Sequence, residues 1–79
     1  MATDTTNMSY TDIKNLMILD VDFKLAITGQ MEKYGGSFVK ALATTIIFAD
    51  PINLSKIADT FMNYIKEYIP DEYKRNDNA

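Results

Sequence analysis

The 79-residue chain contains no cysteine and no histidine. Without cysteine there is no disulfide and no thiol nucleophile. Without histidine there is no imidazole base and no Ser-His-Asp triad, and the usual His/Cys zinc site is excluded too. Arginine occurs once, and the eight basic residues are scattered, with only Lys74 and Arg75 adjacent. Nucleic-acid binders draw most of their affinity from phosphate neutralisation and show a basic stripe, so this pattern argues against direct nucleic-acid contact. The longest uncharged apolar run, Ala41 to Ala49, is too short to cross a bilayer. Met1-Ala-Thr-Asp-Thr-Thr-Asn7 offers neither the basic nor the apolar region of a secretory leader. The expectation is a cytoplasmic protein without a membrane segment.

What is present is a core. Hydrophobic residues make up 47% of the chain, with five Met, five Tyr and four Phe. That composition supports one small folded domain rather than wholesale disorder. A chain this short buries only about 60% of its unfolded surface, so its stability is marginal. With disulfides and zinc excluded, helix packing and self-association are left to supply it. The net charge of −3 suits docking on a basic surface, and mild acidity also serves solubility alone.

Residues 1–8 are small and polar and read as a disordered arm; 9–70 read as one helical domain; 71–79 read as a flexible charged tail. Asp50 before Pro51 marks a helix start: the carboxylate caps free N–H groups, and Pro needs no donor at the first helical position. Leu54, Ile57, Ala58, Phe61, Ile65 and Tyr68 then recur at helical spacing, predicting a helix from Pro51 to Ile69. The preceding helix places Phe38, Leu42, Thr45, Ile46 and Ala49 on one face, and Val39, Ile47 and Phe48 add a second apolar surface. A helix apolar on so many sides is expected to be buried on several of them, one of them by a second copy or a partner. Gly35-Gly36 reads as a helix break with Ser37 as the next N-cap, as a close helix contact, or as backbone cleared for a ligand. Ser9-Tyr-Thr-Asp12 resembles a capping box. Leu19, Val21, Phe23, Leu25 and Ile27 alternate as in a strand, whereas Ile13, Leu16, Leu19, Phe23 and Ile27 trace a helical face. A lone strand would have to pair between protomers. The expected fold is therefore all-α, a helical hairpin or three-helix bundle, with an α+β alternative carrying one N-terminal inter-protomer strand.

No catalytic constellation emerges. Gly35-Gly36-Ser37 lacks the Gly-x-Ser-x-Gly elbow, and no phosphate-binding glycine loop is present. Asp20 and Asp22 would share one face of a strand, but two carboxylates fall short of the six or more oxygens a Ca²⁺ or Mg²⁺ site needs. No metal, cofactor or catalytic residue is assigned, and the chain is read as a non-enzyme. Tyr64 and Tyr68 share a helix face, with Tyr73 beyond; such side chains serve either core or interface.

The segment Tyr34-Gly-Gly-Ser-Phe-Val-Lys-Ala-Leu-Ala43, then Ala49-Asp-Pro-Ile-Asn53, then Lys56-Ile57, Phe61 and Tyr64, resembles a set of short, uncharacterised proteins encoded by tailed bacteriophages. The match covers roughly half the chain and brings no known activity. What the resemblance implies is a context, the bacterial host cytoplasm, and a habit of small phage accessory proteins: binding and inhibiting a host protein such as a defence nuclease, a CRISPR effector or RNA polymerase. The leading expectation is a non-enzymatic, oligomeric inhibitor whose acids Asp20, Asp22, Glu32 and Asp59 mimic phosphate charge. Tyr34, Gly35, Gly36, Tyr64 and Tyr68 complete the expected contact surface. A nucleotide-sequestering oligomer using Lys33, Tyr34 and Gly35-Gly36 is the first alternative, and a virion or assembly component the second.

Overall fold

A capped aspartate opens a helix twice in this chain, and these two caps set its layout. The computed structural model describes residues 9–73. It contains helices α1 (Tyr10–Leu19), α2 (Val21–Tyr34), α3 (Ser37–Phe48) and α4 (Pro51–Glu67), and a 3-10 turn, Asp71–Tyr73. No strand occurs among the described residues. The fold is all-α, with four helices where two or three were expected. The expected arm, 1–8, and the tail beyond Tyr73 lie outside the described residues.

The additional helix comes from Asp20. The alternation around it is not a strand, and the helical face is not continuous. Ser9 opens α1 with the expected capping box: its hydroxyl accepts from the Asp12 N–H at 3.1 Å, and its own N–H donates to Asp12 Oδ2 at 3.4 Å. Asp20 then adopts an extended backbone, closes α1 by donating its N–H to the Leu16 carbonyl at 2.8 Å, and opens α2 with its carboxylate. A short carboxylate competes with the helix for backbone hydrogen bonds, which is why it breaks an apolar run that pattern alone joins. Leu19, placed on the core face by the helical pattern, is consequently 81% exposed.

The core gathers Ile13 and Met17 from α1, Phe23, Ile27 and Met31 from α2, Val39, Leu42, Ala43 and Ile46 from α3, and Leu54, Ala58, Met62 and Ile65 from α4. Ile69, beyond the end of α4, is buried as well. The buried stripe of α3 thus runs through Val39 and Ala43, and the expected core residue Phe38 stays 52% exposed. The α4 stripe matches its expected face, rotated slightly toward Met62. Thr28, the one buried polar side chain among the described residues, donates its hydroxyl to the Lys24 and Leu25 carbonyls at 3.1 and 3.2 Å. Helix α1 packs on both α2 and α4, α3 lies chiefly against α2, and α3 touches α4 sparingly. The 3-10 turn begins the stretch expected to be a free tail, yet its Tyr73 ring meets Phe23 edge-on at 5.0 Å.

Candidate interaction surface

Two features share the seam between α3 and α4. At one end Phe38 begins α3 and Phe61 and Tyr64 lie one turn apart on α4. Their rings meet at centroid distances of 5.8 Å (Phe38–Phe61), 5.2 Å (Phe38–Tyr64) and 6.2 Å (Phe61–Tyr64). These are the tilted, offset geometries that aromatic pairs prefer. The cluster is not core: Phe38 is half exposed, Tyr64 is 41% exposed and Phe61 is half-buried. Helix α4 kinks at Phe61, whose backbone leaves the helical region (φ −115°, ψ 25°).

At the other end, where Ala49 and Asp50 turn α3 into α4, the helices leave an open groove of about 550 Å³. Thr44, Thr45, Phe48 and Ala49 line it from α3 and the corner, and Asn53, Lys56 and Ile57 from α4. Each threonine hydroxyl turns back to its own helix, Thr44 to the Lys40 carbonyl at 3.3 Å and Thr45 to the Ala41 carbonyl at 3.0 Å. The groove therefore presents methyl groups and rings more than free donors. Phe48 is 82% exposed on its lip, and Ile52, one turn before Lys56, is 71% exposed.

The expected site residues divide among several places. Tyr34, Gly35 and Gly36 form the turn that leads into Phe38, and through Phe38 they neighbour Tyr64. Tyr34 is exposed, with the Lys33 ammonium 5.2 Å from its ring centroid. Gly35 answers one of the expected readings: a Cβ there would meet the Val39 side chain and lie 2.6 Å from the Met31 carbonyl oxygen. Only a residue without a side chain allows that approach. Gly36 faces open space and occupies the N-cap position of α3, so Ser37 is the first helical residue rather than the cap. Tyr68 packs half-buried at the core margin beyond α4, as its place in the apolar stripe predicts.

The four acids do not form one patch. Asp22 and Glu32 are both exposed on α2, ten residues apart and hence about 15 Å along the axis. Asp20 is engaged in its cap, its Oδ1 accepting from the Asp22 and Phe23 N–H groups at 3.0 and 3.2 Å. Asp59 straps α4 to α1: its Oδ1 accepts from the Tyr10 hydroxyl at 2.5 Å and the Lys14 ammonium at 3.0 Å. The Tyr10 hydrogen bond, then the Lys14 one, hold the Asp59 carboxyl below the usual carboxylate range, and Asp59 in turn raises the Tyr10 phenol.

Sequence reasoning missed Phe61 as a surface group and placed Phe38 on the buried face. The usable signal was the surplus of apolar residues on α3, more than one face can bury. No protein-family model matches the chain, and no curated protein or solved structure matches it either.

Proposed function

We propose that this chain is a non-enzymatic phage accessory protein that binds and inhibits a host protein by covering part of its surface. The observation that carries the reading is the aromatic cluster Phe38–Phe61–Tyr64, three rings held together at the surface beside the tight Gly35 turn. Aromatic anchors fixed by neighbours on helices lose little entropy on binding and dominate contact energies. The absence of His and Cys from the sequence, together with the resemblance of the Tyr34–Ala43 and Ala49–Asn53 segments to short tailed-phage proteins, supports contact over catalysis. The dispersed acids shift the emphasis of the contact from charge mimicry to these rings.

The test is capture from bacterial lysate with the tagged chain and with a Phe38→Ala/Tyr64→Ala double variant whose melting has been checked. One stoichiometric host protein should be retained by the parent chain and lost by the variant, and its activity should fall on adding the parent chain. Equal capture by both chains removes the aromatic surface from the proposal; no inhibition removes the function. Nucleotide sequestration has one observation in its favour, the ring and cation of Tyr34 and Lys33 at a single turn. Melting curves that stay flat across a nucleotide panel would eliminate it.

A further inference from the structure

We infer that the rings of Phe38, Phe61 and Tyr64 are a seat for a cation, and that its occupant is an arginine side chain of a partner protein, with the guanidinium lying over the rings and pairing with Glu67. The inference rests on the contact reading above and names the chemical group that this surface recognises.

The first support is geometry. The three rings meet pairwise at 60°, 59° and 58°, so they neither stack flat nor stand edge to face. Phe61 is the deepest of the three, and Phe38 and Tyr64 are more exposed. Together they make a shallow cup open to solvent. A cation resting over the triangle of ring centroids at contact height, about 4 Å, lies about 5 Å from each centroid, inside the ~6 Å reach of a cation–π attraction. The rings touch one another, so a guest lies on them and not between them. A flat guanidinium stacks in that way.

The chain already uses ring faces for cations elsewhere. The Lys14 ammonium lies 5.8 Å from the Tyr10 ring centroid, and that of Lys33 lies 5.2 Å from the Tyr34 centroid. Among the described residues no lysine lies over Phe38, Phe61 or Tyr64.

The second support is charge. Glu67 ends α4 three residues after Tyr64, so the two are neighbours on the helix surface. It is exposed, and no ion pair engages it among the described residues. By contrast Asp12, Asp20 and Asp50 serve helix caps, and Asp59 serves the strap to α1. An acid in the last turn opposes the helix dipole, so α4 gains nothing from a negative charge there. The net charge of −3 draws a cationic partner toward the chain. Arginine answers both features: its plane covers the rings, and its N–H fork pairs with a carboxylate.

NMR titration of the full chain with N-acetyl-arginine methylamide, at fixed ionic strength, tests this. The Phe38 and Tyr64 ring signals should shift saturably, with a dissociation constant on the order of 10 mM. The citrulline analogue, of the same shape but neutral, should bind at least about fivefold more weakly. Glu67→Gln should weaken the arginine derivative by about threefold. Tyr64→Leu keeps an apolar side chain but loses the ring, and should abolish saturation. Both positions are exposed, so helical circular dichroism should not change; if Tyr64→Leu misfolds, Glu67→Gln decides. Ring signals that stay still, or that move equally with citrulline, overturn the proposal. So does a response to adenosine monophosphate without one to the arginine derivative, which would assign the rings to base stacking. The two readings fail separately: capture of a host protein without arginine binding removes this inference alone, and arginine binding without capture removes the host target alone.

Discussion

Asp20 and Asp50 make the same kind of corner with opposite results. Each has an extended backbone and caps the helix that follows, though Asp20 also ends α1 whereas Ala49 ends α3, and exposed apolar residues lie close to each: Leu19 and Val21 at the first, Phe48 and Ile52 at the second. They differ three residues on. After Asp20 the third residue is Phe23, which is wholly buried and receives the Tyr73 ring edge-on. After Asp50 it is Asn53, which stays at the surface, donates its N–H to Asp50 Oδ1 at 2.8 Å, and lends its side-chain amide to Oδ2 at 3.2 Å. Both caps fix where a helix starts, but the third residue is core at the first corner and stays at the surface beside the groove at the second. The first corner is a piece of the fold, and the second is the piece available for contact.

The sharpest way to break this comparison is to remove one phenyl ring near each corner. Phe23→Ala should cost about 3–5 kcal/mol, the range for emptying a buried aromatic site. That is comparable to the whole stability of a domain this size, so the variant should melt at or below ambient temperature. Phe48→Ala, 82% exposed, should change stability by less than about 0.5 kcal/mol. Equal losses for the two variants would show that the second corner is as much core as the first.

A smaller effect separates the caps themselves. Asp20→Ala leaves the Asp22 and Phe23 N–H groups without their acceptor and should cost about 1–2 kcal/mol. Asp50→Ala also loses an acceptor, but Pro51 still presets the backbone of the first turn, so the loss should stay near 1 kcal/mol. Urea unfolding with the slopes compared will read both; an unchanged slope shows that stability rather than denatured-state compactness has moved. If Asp50→Ala proves the costlier, Pro51 contributes less pre-organisation than its position suggests.

These two corners also explain what could be read from the sequence. The Asp50 corner was legible because Pro51 adds a second, independent signal and the stripe from Leu54 to Ile65 follows at helical spacing. The Asp20 corner was not, because a lone Asp between Leu19 and Val21 fits a strand, a through-going helix or a cap equally well. Only the packing of Phe23 against α1 and Tyr73 selects the cap. The capping box at Ser9 was legible from its two short-range partners. The strap from Asp59 to Tyr10 and Lys14 was not, since 49 and 45 residues separate the partners. Phe38 was placed on the wrong side because α3 has apolar residues all round. Periodicity ranks faces poorly in such a helix, and tertiary contacts with α2 chose Val39 and Ala43 instead.

The weakest effect is the dependence of stability on pH. Asp59 has its folded-state pKa lowered, by Tyr10 first and Lys14 second. Its contribution is present above the unfolded value of about 4 and is lost as pH falls through the lowered folded value. Tyr10 and Tyr73 both have raised values, Tyr10 through Asp59 and Tyr73 through burial, with Glu72, Asp20 and Asp22 adding to it. Their contributions are present below the unfolded value of about 10 and are lost as pH rises through the raised folded values. The acid arm therefore belongs to the strap between α1 and α4, and the alkaline arm to that strap and to the first corner, where Tyr73 lies against Phe23. All these groups are at least partly open to solvent, so the arms should be shallow and should flatten as salt is raised. Tyr10→Phe separates the contributions. It removes the larger of the influences lowering Asp59, so the acid arm should weaken and be complete at a higher pH, while the Tyr73 part of the alkaline arm persists. Melting temperatures across the pH range, for parent and variant, give the answer. If the two acid arms coincide, the hydroxyl contact with Asp59 is not holding α1 to α4 in solution, and Lys14 alone carries the strap.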